Sequence, residues 1–256
     1  MFFLSLEERV ELARFVKKAA NGRIPVIASG HISASMEEQI YELKAMADTG
    51  IDALVLISGN LASKDEPDCS VKRNIEKLMK EIPDIPMGIY ECPLPYKRII
   101  SPELLNWCAS TERFYFLKDT CRNPSLIKSK IESVKNTNLK VFNANAATLL
   151  ETLKMGVAGY SGVMANFHPD LYAWLIKNWR NNQEEAEKLQ HFLGLSSAIE
   201  YQVYPVNAKY YLKLEGLNIL QFSRLKDMSL FDQSHKIEVE DLHYLSKVYS
   251  DNLYHK

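Results

Sequence analysis

Two residues have the type and position to do chemistry together. Lys118 closes a short apolar run (Phe114, Tyr115, Phe116, Leu117), and polar Asp119 and Thr120 follow it at once. A lysine where a buried strand leaves the core is poorly solvated, and desolvation favours its neutral form. A neutral amine near pH 7 attacks a carbonyl and forms a Schiff base. Tyr90 closes the preceding apolar run, Pro86, Met87, Gly88 and Ile89, and a phenol can relay protons when something polarises it. Taken singly, each also reads as an ordinary strand-end residue. What separates them from that reading is their equivalent position on consecutive strands, which places amine and phenol within reach of one small ligand.

The elements that must hold this pair alternate along the chain. Ser5-Leu6-Glu7-Glu8 is a capping box, followed by a helix that Asn21-Gly22 stops. Residues 24–28 read as a short buried strand. Ser35 to Glu38 form a second capping box, and 53–57 are an almost uninterrupted apolar strand. A helix over 71–80 precedes the Tyr90 strand. Ser101-Pro102-Glu103 starts another helix in the favoured cap-then-proline order. The Lys118 strand follows, then a helix from Asn123-Pro124 to about 134. Strand 140–142 leads to a helix ended by Gly156, and 159–163 form a last short strand. His168-Pro169-Asp170 opens helix 168–180, with His168 expected in its cap. Strands apolar on both faces, each joined by a helix, specify an α/β protein with a parallel sheet covered on both sides. The regular period and the lack of a glycine-rich phosphate turn favour a (β/α) barrel over a dinucleotide fold. After about Trp179 only helices follow, near 182–194, 205–216 and 239–250. The expected domains are therefore a barrel over 1–180 and a C-terminal helical extension over 181–256. About six strands are legible where a closed barrel has eight.

Composition narrows the function classes. The 256 residues carry a net charge of −1, which favours neither nucleic acid nor an anionic membrane as partner. No apolar run approaches the roughly 20 residues of a membrane span. Met1-Phe2-Phe3-Leu4 is too short for a secretory leader. Cys69, Cys92, Cys108 and Cys121 are scattered, without C-x-x-C pairs, which points away from zinc and disulfides and toward a cytoplasmic protein. The histidines show no ligand spacing, so no metal site is expected.

Tyr90-Glu91-Cys92-Pro93 resembles the Y-N-x-P motif of the dihydrodipicolinate synthase / N-acetylneuraminate lyase family. Phe116-Leu117-Lys118-Asp119-Thr120 is similar to that family's Schiff-base lysine strand. The segment from Met155 through Gly159, Ser161 and Asn166 resembles its last strand, and Pro205 to Lys209 with Glu215-Gly216-Leu217 resembles its C-terminal helical stretch. The resemblance covers nearly the whole chain in order and spacing. It implies a (β/α)8 barrel with a helical extension, a homo-oligomer (tetramer or dimer), no cofactor, and a small 2-oxo acid such as pyruvate as substrate. It also implies residue roles: Lys118 forms the imine, Tyr90 shuttles protons, Thr120 faces substrate, and Ala144 is a small residue beside it. Ser161 falls where a backbone carbonyl lines the pyruvate site, and its side chain reads equally well as structural.

Departures from the family pattern shape the expectation further. The synthase branch places an arginine, which holds a second carboxylate, where this chain has Pro95; Lys97 or Arg98 are the nearby cations. The sialic-acid branch has an acidic pair where Ala146 and Ala147 stand, and Asn143 and Asn145 suggest neutral hydrogen bonding to substrate instead. The resemblance also implies that the chain starts just past the family's carboxylate-binding loop, without the first two strands and the first helix. The expected function is a class I lyase or aldolase that makes or breaks a C–C bond through a lysine Schiff base. The alternative is a non-catalytic or impaired member that binds a 2-oxo acid or another protein.

Overall fold

The computed structural model describes residues 1–254. They divide into two compact units, one of residues Met1–Phe142 and one from Asn143 onward.

The first unit opens on α1 (Leu6–Ala20), where Ser5 and Glu8 cap each other reciprocally and Asn21 ends the helix in the left-handed region. Then come β1 (Ile27–Ala28), α2 (Met36–Ala47), β2 (Ala53–Ile57) and α3 (Asp68–Glu81). β3 (Met87–Tyr90), α4 (Pro102–Ser110), β4 (Phe114–Asp119) and α5 (Pro124–Ser133) follow, and β5 (Lys140–Asn143) carries the chain out of the unit. The helix starts are written in the sequence: Ser35, Ser101 and Asn123 each accept a backbone N–H of the first turn, satisfying a donor the helix itself cannot pair. Strand order follows chain order from β1 to β5, and β1 with β2, β2 with β3, and β3 with β4 pair in parallel. β2 is buried along its whole length, and Leu54, Leu56, Met87, Ile89 and Leu117 form a core with Ile75, Leu78, Leu105 and Ile127. This is the helix-covered parallel sheet that the apolar strands specify.

The β3–β4 ladder holds one irregularity. Met87 faces Phe114, but Gly88 faces Phe116, so Tyr115 is an extra residue in β4. Such a bulge advances every later pair by one residue. It brings Lys118, rather than Leu117, opposite Tyr90. Gly88 is required on the same face, because a Cβ there would run into the Phe116 ring.

The second unit holds α6 (Leu149–Met155), β6 (Gly159–Tyr160), α7 (Pro169–Asn178), α8 (Gln183–Ser196), α9 (Val206–Leu214) and α10 (Gln233–Tyr254). Six strands are thus present among the described residues, the number legible in the sequence. Its core gathers Leu171, Leu175, Leu189, Leu193, Val206, Tyr211 and Val239. Gly156 ends α6 with φ 110°, as its position predicts. His168 is the N-cap residue of α7, as expected, although its side chain makes no cap bond; it is buried and its Nδ1 lies 2.9 Å from Ser246 Oγ on α10. One expectation is corrected: α10 starts at Gln233 rather than near 239, because Asp232 accepts the His235 N–H at 3.0 Å and caps a polar first turn.

No helix among the described residues is long and apolar enough to cross a membrane. All four cysteines are free thiols.

Candidate active site

The geometry of the first unit brings Tyr90 and Lys118 together. Both are half-buried, they are register partners at the C-terminal ends of β3 and β4, and Lys118 Nζ lies 4.2 Å from the centroid of the Tyr90 ring. Side chains alternate between sheet faces, so Gly88, Tyr90, Phe116 and Lys118 share one face. With glycine at 88, the Phe116 ring lies against β3 beside the tyrosine and the amine, in the place a side chain at 88 would take. An ammonium over a tyrosine face is attracted by the ring quadrupole, which fixes where the nitrogen sits.

The opposite face carries a second feature. Glu91 and Asp119 each follow one of the two site residues in sequence, point the other way, and are fully buried. Between them stands Lys130 of α5, its ammonium paired with Glu91 Oε1 and with Asp119 Oδ2, all three side chains at 0% exposure. Every lobe of this network is satisfied. Glu91 Oε1 also accepts the Ile100 N–H at 3.0 Å, Oε2 accepts the Thr120 N–H at 2.8 Å, and Asp119 Oδ1 accepts the Cys121 N–H at 2.9 Å. Burial holds the Glu91 carboxyl above its ordinary range, against the pull of Lys130. For Lys130 burial opposes the charged form, yet the two carboxylates outweigh it and raise its pKa.

Thr120 lies directly beyond Lys118 and Asp119, with its hydroxyl donating to Glu91 O at 2.7 Å. The exposed Lys97 donates to Thr120 O, placing a cation beside the end of β4. Arg98 is used elsewhere: its guanidinium donates to Ser63 O and Glu66 O, which hold the loop before α3. Burial pushes the Cys121 thiol up to about 12, so it is a poor nucleophile at neutral pH.

In the second unit, Ala144 and Ser161 are both partly exposed. The Ser161 N–H donates to Asn143 O at 2.8 Å, and the Ala144 carbonyl lies against Gly162, where a Cβ would collide with it. Asn143 is buried and internally committed: its amide donates to Thr148 and Thr152 hydroxyls at 3.0 and 2.9 Å, while its oxygen accepts the Asn145 N–H at 2.7 Å. Asn145 in turn caps the turn at Ala147. The Asn143 amide is thus committed within the chain after β5, and Asn145 contributes its side-chain oxygen to the same turn.

Sequence reasoning passes over Lys130 and gives Glu91 no role of its own. The signal is present: Lys130 falls on the apolar stripe of its helix with Ile127 and Val134, where a solvated lysine has no place. Among the described residues no group of three or more His, Cys, Asp or Glu is placed to hold a metal ion.

The sequence profile of the dihydrodipicolinate synthetase family matches residues 1–242. The chain belongs to this family. Among its relatives, the 4-hydroxy-tetrahydrodipicolinate synthase of Bacillus velezensis is 25% identical over 218 residues, covering 84% of this chain and 74% of that protein. The Bacillus subtilis enzyme of the same name is also 25% identical, over 219 residues, with the same coverage of 84% and 74%. Among solved structures, YagE, a prophage protein of the dihydrodipicolinic acid synthase family from E. coli K12 in complex with pyruvate, superposes with a TM-score of 0.83 at 22% identity, over 96% of this chain and 83% of that one. This likeness shows a shared fold. Within the dihydrodipicolinate synthetase family, the expected class of activity is that of an aldolase or lyase, and membership supports it.

Proposed function

We propose that the protein is a class I lyase that condenses Lys118 with a 2-oxo acid of the pyruvate type and makes or breaks a C–C bond beside the resulting imine. The observation that carries this reading is the Lys118–Tyr90 stack, with the nitrogen 4.2 Å from the ring centroid at the ends of adjacent parallel strands. Family membership and a related fold solved with pyruvate support it. The reading takes the strand–helix alternation as part of a (β/α)8 barrel, in which strand C-terminal ends carry the chemistry.

In this mechanism the lysine amine adds to the keto carbon, and the carbinolamine loses water to give a protonated imine. The imine draws electrons from the adjacent carbon, so a proton or a carbon substituent there can leave. Tyr90 is the residue assigned to carry protons to and from these atoms in this reading. Lys97, tied to the end of β4 through Thr120, supplies positive charge that attracts a carboxylate. Thr120 is proposed as a wall of the site, held by Glu91 rather than free to swing.

The test is reduction with borohydride in the presence of pyruvate. One adduct per chain is expected, located by peptide mass at Lys118 and absent in Lys118→Ala. No adduct on the wild-type protein, or an undiminished one in Lys118→Ala, overturns the assignment.

A further inference from the structure

The buried Glu91–Lys130–Asp119 cluster lies directly behind the Tyr90–Lys118 pair, and it does more than fill a core. We infer that Lys130 is a positioning residue: by binding the carboxylates that follow Tyr90 and Lys118 it sets the separation of the two strand ends, and so the stacking of amine on phenol. The inference deepens the proposed reaction and rests on it only for its catalytic consequence.

Three observations carry it. First, the strand ends are joined at this point by a single long backbone bond, Glu91 N–H to Lys118 O at 3.3 Å, and the Lys130 bridge adds a buried side-chain tie beside it. Second, Glu91 and Asp119 each follow one member of the Tyr90–Lys118 pair and meet at the same ammonium. Two ionised carboxylates facing each other in a dry site repel. Without the cation between them, the strand ends would part or one acid would take up a proton. Third, the hydrogen bonds that complete the cluster come from Ile100, Thr120 and Cys121, the residues where the chain leaves β4 and enters α4. The cluster thus anchors the loops that flank the reactive pair as well as the strands.

Two variants test this. Asp119→Asn releases the β4 side and leaves Lys130 neutralised by Glu91 alone, the gentler change. Lys130→Met removes the tie altogether. In protein shown to be folded by circular dichroism and a cooperative melt, the rate of reductive methylation by formaldehyde and cyanoborohydride is measured at Lys118 and, as reference, at Lys44, a partly exposed lysine paired with Glu81. A loosened stack exposes the amine, so the Lys118-to-Lys44 ratio is expected to rise at least threefold in Asp119→Asn. Pyruvate trapping at Lys118 should slow at least tenfold, in maximal rate rather than in the pyruvate concentration needed. A general loss of structure would raise both lysines together and leave the ratio flat. Should Lys130→Met fail to fold, Asp119→Asn decides alone. A folded Asp119→Asn protein with ratio and trapping both within twofold of wild type overturns the inference. If wild-type protein traps no pyruvate, the proposed reaction falls, while the methylation ratio still judges the positioning role.

Discussion

Lys118 stacks its ammonium on the Tyr90 ring, and the two residues are direct register partners across β3 and β4. In the proposed mechanism the ring and the hydroxyl of Tyr90 therefore have separable tasks, one fixing the amine and the other moving protons. Tyr90→Phe keeps the ring. Borohydride trapping of pyruvate is expected within about threefold of wild type, while exchange of pyruvate methyl protons with deuterium falls about 100-fold or more, the usual contribution of a positioned proton carrier. Tyr90→Leu removes the stack as well, worth about 0.5–2 kcal/mol, and should slow both. Proton exchange unchanged in Tyr90→Phe would take the phenol out of the mechanism.

The close fit of the Phe116 ring on β3 depends on the missing side chain at Gly88. A methyl group there collides with that ring, and Met87, Gly88 and Ile89 are all buried. Gly88→Ala is expected to destabilise the protein by about 1–3 kcal/mol, the common range for overpacking. The double variant Gly88→Ala/Phe116→Leu, which makes room, should recover at least half of that loss. Urea denaturation of the two variants measures both numbers, and equal stability of Gly88→Ala and wild type would show that the ring is not confined.

The legibility of the fold in the sequence differs from element to element. Ser5, Ser35, Ser101 and Asn123 announce their helices because a cap is a local contract between a side chain and the next three residues. The pairing of Tyr90 with Lys118 is also legible, as two polar residues ending consecutive apolar runs. The reason they face each other is not. It is the extra residue Tyr115 in β4, and a bulge is settled by what packs on both strands rather than by the strand's own letters. Lys130 escapes for a related reason: its partners lie 39 and 11 residues away, and only tertiary contact turns an apparently misplaced lysine into a bridge. Asn143 reads in the sequence as a hydrogen-bonding partner of substrate, but in the fold Thr148 and Thr152 occupy its amide.

Thr120 offers a test of how a hydroxyl divides between structure and binding. Its donation to Glu91 O is short and well placed at 2.7 Å. Thr120→Val keeps the shape and leaves that carbonyl without this donor, with an expected loss of about 1–2 kcal/mol. Thr120→Ser should retain nearly all of the stability. A Thr120→Val protein as stable as wild type in urea would mean that the bond contributes nothing.

Lys97 is the exposed cation tied to the end of β4, and exposure makes its influence sensitive to salt. Lys97→Met is expected to raise the pyruvate concentration for half-maximal trapping about threefold at low ionic strength, and to lose that effect near 1 M salt, where screening acts within about 3 Å. A salt-independent change would indicate that the side chain acts by packing rather than by charge.

His31 contributes to the acid sensitivity of the first unit. Its Nε2 accepts the Ile57 N–H at 2.6 Å, and its Nδ1 meets the Gln39 side-chain oxygen Oε1 at 3.0 Å. Both bonds fit a neutral ring with the proton on Nδ1; protonating Nε2 would set one donor against another. Burial accordingly pushes the His31 pKa down from 6.5 to about 4. A group whose folded value is depressed stabilises the fold above its unfolded pKa and loses that stability as the pH falls toward the folded one. From pH 6.5 down to about 4 the unfolded chain takes up a proton that the folded chain refuses, so stability falls by about 1.4 kcal/mol per pH unit. At pH 5 the loss due to this one residue reaches about 2 kcal/mol. His31→Gln keeps an amide in place of the ring and removes the titration. The difference in unfolding free energy between pH 7.5 and pH 5.0 should therefore be about 2 kcal/mol smaller in the variant than in wild type, and equal differences would show that His31 becomes charged in the folded protein without penalty.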